Sequence, residues 1–117
     1  MRFSAILNFS FSIFNPFMFV HVVLFYLKKG LSPEEVAQFE TGVSSLGTID
    51  GLLSFNVGKP ASTDRPVIDK SYDYCLLTTF PDLAAHDQYQ EVEIHLKFIR
   101  ECAHLWERVV IFDSETI

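Results

Sequence analysis

At 117 residues, with 49% apolar side chains and twelve phenylalanines, the chain is long enough for one domain with its own core and too apolar for intrinsic disorder. A net charge of −6 without any Lys/Arg cluster excludes the phosphate-neutralising surface that nucleic-acid binding requires. The two cysteines, Cys75 and Cys102, are far apart and lack metal-ligand or redox spacing, which fits a reducing, cytoplasmic setting better than a disulfide framework.

From Phe3 to Leu27 no side chain is formally charged, a length that could cross a bilayer. Ser4, Asn8, Ser10, Ser12 and Asn15 interrupt the run, Pro16 would kink a helix, and Phe19–Leu27 is β-branched and aromatic. A strand, not a membrane span, is expected there. Residues 1–17 therefore read as an N-terminal appendage, with a domain over 18–117 and Met18 a candidate start in its own right.

The first strand, Phe19–Leu27, carries Phe19, His21, Val23, Phe25 and Leu27 on one face and Val20, Val22, Leu24 and Tyr26 on the other. Both faces are apolar, so the strand should be central and covered on both sides. "LSPEE" opens a helix: Ser32 is the N-cap, Pro33 takes the first helical position and Glu35 closes a capping box. Val36, Phe39, Val43 and Leu46 follow at helical spacing, and Gly47 is a candidate stop. Strands are expected over 52–59, 72–80 and 107–113, and helices over 81–90 (capped by Asp82) and 93–106.

The order β-α-β-β-α-β is the ferredoxin-like α+β plan, with its second helical region in two pieces. Helices on one face of a four-stranded sheet leave the other face open, and an apolar first strand demands a cover for it. In a chain this short that cover is expected to be a second copy, packed sheet to sheet.

Few residues can carry chemistry. His21 is either a core histidine, if its face packs under the helices, or a cavity-facing group, if its face is the open one. Tyr89 and His95, six residues apart around the helix break, could share proton transfer, or could simply cap the junction and be partly buried. His86 and His104 have charged or polar neighbours and read as solvent-facing. No metal site is expected, because no histidine pair at i,i+4 and no HExxH spacing occurs. No P-loop, GxGxxG or nucleophile elbow is present, and no cofactor is expected.

"HVVLFYLKKGLSPEE", "YDYCLLTTF" with the following "PDL", "YQEVEIH" and "WERVVIFD" together resemble the Dabb family, the stress-responsive dimeric α/β-barrel domain, over about residues 18–113. The resemblance implies a ferredoxin-like protomer that pairs sheet to sheet into a dimeric α+β barrel with an internal cavity. A plant polyketide cyclase of that family, which makes olivetolic acid, implies further roles: Tyr89 as base, His95 as its polarising partner and His21 as a substrate-orienting group. Where that pattern has His-Pro, this chain has Val92-Glu93. Loss of the proline should let the helix continue and rotate His95 relative to Tyr89.

Three functions fit these features. The first is a homodimeric barrel that binds an apolar small molecule without turnover. The second is a cyclase-like enzyme using Tyr89, His95 and His21, which requires all three to face one cavity, with Tyr89 and His95 in hydrogen-bond reach. A His21 lying under the helices, or a Tyr89 aimed at solvent, would rule it out. The third is a monooxygenase of the related dimeric α+β barrel type.

Overall fold

A computed structural model describes residues 17–117, so the N-terminal appendage expected at 1–17 lies almost wholly outside the described residues. The elements are β1 (Phe19–Leu27), α1 (Pro33–Ser45), β2 (Ser54–Gly58), β3 (Tyr74–Phe80), α2 (Leu83–Glu91), α3 (Glu93–Cys102) and β4 (Trp106–Glu115). They form one antiparallel sheet in the order β2-β3-β1-β4. This is the ferredoxin-like α+β arrangement, and β1 is central as its two apolar faces require.

α1 starts where the sequence says it must. Ser32 Oγ accepts from the Glu35 N–H at 3.1 Å, and Glu35 Oε1 accepts from the Ser32 N–H at 2.9 Å. Such a cap stabilises a helix by about 1 kcal/mol. Asp82 caps α2 in the same way, accepting from the Ala85 N–H at 2.9 Å.

Phe19, His21, Val23 and Phe25 all point under the helices and are buried, as are Tyr74, Leu76, Thr78 and Phe80 of β3. Phe25, Phe39, Phe98 and Trp106 pack as one aromatic cluster, with ring centroids between 5.0 and 6.3 Å apart. Each fully buried phenylalanine contributes about 1.5–3 kcal/mol of transfer free energy, and Phe19, Phe25, Phe39, Phe80 and Phe98 are all buried here. α1 and α3 cross closely: a Cβ at Gly42 would lie 2.6 Å from Cys102 Sγ.

Several boundaries differ from expectation. β2 begins at Ser54 and leaves Leu53 outside it, 56% exposed, and β3 begins at Tyr74. The last helix stops at Cys102; a single 3-10 turn over Ala103–Leu105 follows, and Trp106 already belongs to β4. Gly47 does not end α1 but lies inside a 3-10 turn, Leu46–Thr48. There the Phe55 ring sits 2.8 Å from where a Cβ would be, so glycine is required for close approach.

The helix-free face of the sheet carries Val20, Val22 and Leu24, each half-buried. Phe112 of β4 lies opposite Val22 on that face and is 59% exposed.

Candidate active site

The helix-covered face holds a cavity of about 130 Å³ between the sheet and α2–α3. Val23, Phe25, Leu76, Phe98 and Trp106 supply apolar wall, while His21, Tyr89, Gln90 and His95 supply the polar atoms. Ile99 and Ile111 line it yet are 41% and 51% exposed, so the cavity opens between α3 and β4.

His21 comes from the middle of β1, flanked in register by Thr78 of β3 and Asp113 of β4. Thr78 Oγ1 donates to the His21 carbonyl at 3.2 Å. The His21 ring is buried, and its Nδ1 lies 2.5 Å from Asp113 Oδ1. A carboxylate only accepts, so Nδ1 carries the proton and Nε2 is left as the ring's acceptor. Burial holds the His21 pKa below its ordinary value, outweighing the hydrogen bond and charge of Asp113, which act upward.

Tyr89 is on α2, 1% exposed, with its ring edge-on to Phe80 at 5.0 Å and to His21 at 6.3 Å. Burial alone raises its pKa far above the ordinary tyrosine value. His95 is on the first turn of α3, its ring 5.0 Å from that of Tyr89 at 70°. Burial, followed by the like charges of His21 and His86, lowers its pKa. Tyr89 Oη and His95 Nδ1 are both buried, and neither has a hydrogen-bond partner. Each orphaned polar group costs about 1–3 kcal/mol, so such groups are few in a native fold and point to a partner such as a ligand, a water or an ion.

The sequence expectations fare unevenly here. His21, Tyr89 and His95 do share one cavity. The choice drawn for His21 between helix side and cavity side was false, because the cavity is on the helix side. His21 lies under the helices, the placement that was to rule out the cyclase-like enzyme, yet from there it lines the same cavity as Tyr89 and His95. The contact between Tyr89 and His95 that the cyclase-like reading required is not made as a hydrogen bond. Loss of His-Pro does not let the helix run on: Val92 stays extended (φ −75°, ψ 156°) and divides α2 from α3. Its side chain packs on the core, its carbonyl accepts from the His95 and Leu96 N–H groups at 3.0 and 3.1 Å, and Glu93 suits a helix N-terminus.

Two residues were missed. His86 is not solvent-facing: it is 9% exposed, stacked on Phe19 at 4.5 Å and 4.8 Å from the His21 ring. Its place three residues before Tyr89, on the same helix face, was the available signal. Asp113 appeared only as part of a motif, and its pairing with His21 depends on strand register. A groove of about 430 Å³ on the outer surface, between α1 and α3, is larger. None of the orphaned buried polar atoms among the described residues belongs to its lining.

The model of the stress responsive A/B barrel domain matches residues 19–116. The chain belongs to the Dabb family. No curated protein matches the sequence significantly. Among solved structures, a Dabb protein with a ferredoxin-like fold from Mesorhizobium loti is 25% identical, with a TM-score of 0.70 over 86% of this chain and 98% of that one. A dimeric ferredoxin-like protein of unknown function from Thermobifida fusca is 20% identical, with a TM-score of 0.70 over 88% and 94%. The hydroxynitrile lyase of Passiflora edulis is also 20% identical, with a TM-score of 0.70 over 88% and 96%. At 20–25% identity these likenesses speak for the fold that this Dabb chain shares. Among the described residues no helix is long and apolar enough to cross a membrane.

Proposed function

We propose that this Dabb chain is a homodimer whose protomer cavity binds a small, mainly apolar molecule carrying a hydrogen-bonding oxygen. The observation that carries this reading is the pair of orphaned atoms, Tyr89 Oη and His95 Nδ1, buried beside the cavity. A ligand oxygen between them would accept from the phenol and meet the imidazole. At about 130 Å³ the space equals roughly four waters at about 30 Å³ each, well below the 300–1,000 Å³ of drug-sized sites. It fits a compact aromatic or carbonyl compound.

The apolar sheet face of Val22, Leu24 and Phe112 supports sheet-to-sheet pairing, and the Thermobifida fusca relative is described as dimeric. A cytoplasmic setting suits the two free cysteines.

Acid–base catalysis on a small carbonyl compound is a second reading, favoured by the His21–Asp113 pair. In it Tyr89, whose phenolate burial disfavours, is the proton donor and not the base, while a neutral imidazole of His21 or His95 takes the proton. The Passiflora edulis neighbour shows that this fold can carry a lyase.

The test is thermal unfolding of the full chain with benzaldehyde or p-cresol. A concentration-dependent rise in Tm that Tyr89→Phe abolishes supports the binding reading. Product formation in the same mixtures moves the conclusion to the enzyme, and oxygen uptake with p-cresol to the monooxygenase. No shift with any compact aromatic oxygen compound refutes the cavity reading.

A further inference from the structure

We propose a divalent transition-metal site formed by His21, His86 and Asp113, at the edge of the cavity and beyond the binding function argued above. One nitrogen of each imidazole and one Asp113 oxygen all lie within 4.8 Å of one another. The three residues come from β1, α2 and β4, far apart in sequence, so no motif spacing announces them. Two imidazoles and one carboxylate are a donor set for borderline ions such as Zn²⁺ or Co²⁺.

Tetrahedral coordination at about 2.0–2.2 Å asks for donors roughly 3.3 Å apart. The His21 Nδ1–Asp113 contact of 2.5 Å must therefore open slightly, and the widest separation, 4.8 Å, must close. Both movements are available. The Asp113 side chain is 41% exposed, and His86 is held by two side chains only: its Nδ1 faces the exposed Asp87 at 3.1 Å and its Nε2 faces Nε2 of the half-buried Gln90 at 3.1 Å. The ion replaces the proton between His21 Nδ1 and Asp113, that proton moves to His21 Nε2, His86 supplies the third ligand and water completes the shell. Metal occupancy thereby turns His21 Nε2 from an acceptor into a donor.

The same site gives the histidine at position 86 a role that its stacking on Phe19 does not require. Its ring could stack on Phe19 equally well as phenylalanine, yet it brings a second imidazole to 4.8 Å from His21.

The experiment is calorimetric titration of the chelator-treated full chain with Zn²⁺, alongside Co²⁺ absorption in the visible. Wild type is expected to bind one ion per chain and to give a d–d band. His86→Phe, which keeps the stack on Phe19, and Asp113→Asn, at an exposed position, should each weaken binding at least about tenfold. Tyr89→Phe should leave it intact, which separates this site from the small-molecule site. Absence of Zn²⁺ binding, or binding unchanged in both His86→Phe and Asp113→Asn, overturns the proposal.

Discussion

Tyr89 and His95 face each other with rings 5.0 Å apart at 70°, yet the hydroxyl of one and Nδ1 of the other have no partner. A fold optimised only for stability would have paired them or replaced them. Tyr89→Phe is therefore expected to raise stability by about 1 kcal/mol while abolishing ligand-induced protection. Urea unfolding with and without p-cresol measures both. A loss of stability in the ligand-free variant would mean that the hydroxyl is satisfied and that the cavity reading has lost its basis.

His95 gives the protein an acid-sensitive component. Its unfolded value is the ordinary 6.5, and its folded value lies lower because of burial. Between the two the unfolded chain binds more protons, so stability falls as pH drops below about 6.5 and is unaffected by this residue above it. Urea midpoints across that range should fall less steeply in His95→Phe, the remaining slope belonging to His21, whose pKa burial also lowers. An unchanged slope would show that His95 titrates alike in both states.

The contact between α1 and α3 reverses an ordinary substitution rule. Gly→Ala inside a helix normally stabilises by about 1 kcal/mol, but a Cβ at Gly42 meets Cys102 Sγ at 2.6 Å and the Phe98 ring at 3.2 Å. Gly42→Ala should destabilise by about 1–3 kcal/mol, and adding Cys102→Ala should return part of the loss. Thermal melts of both variants decide it; a stabilising single mutant would contradict the crossing.

Phe112 tests the assembly. It is exposed on the helix-free face opposite Val22, where a carboxylate would be buried unpaired on pairing. Phe112→Glu should convert a dimer to a monomer of 13.4 kDa by light scattering while leaving the circular dichroism spectrum unchanged. A variant that stays dimeric would move the interface off this face.

The sequence by itself determined the elements and their faces. Two-sided apolarity made β1 central, the Ser32/Glu35 box started α1, and alternation put His21 on the same face as Val23 and Phe25. Local hydrogen bonding and a fixed side-chain period are enough for that. Tertiary structure decided which layer covers each face. Periodicity says which residues point together but not what they point at, so the cavity's place under the helices was invisible. Register between strands 92 residues apart brought Asp113 to His21, and a one-residue slip would have sent it to the other face. The depth of His86 was hidden for a related reason. Its polar neighbours in sequence suggested solvent, while the packing of α2 on Phe19 set its burial.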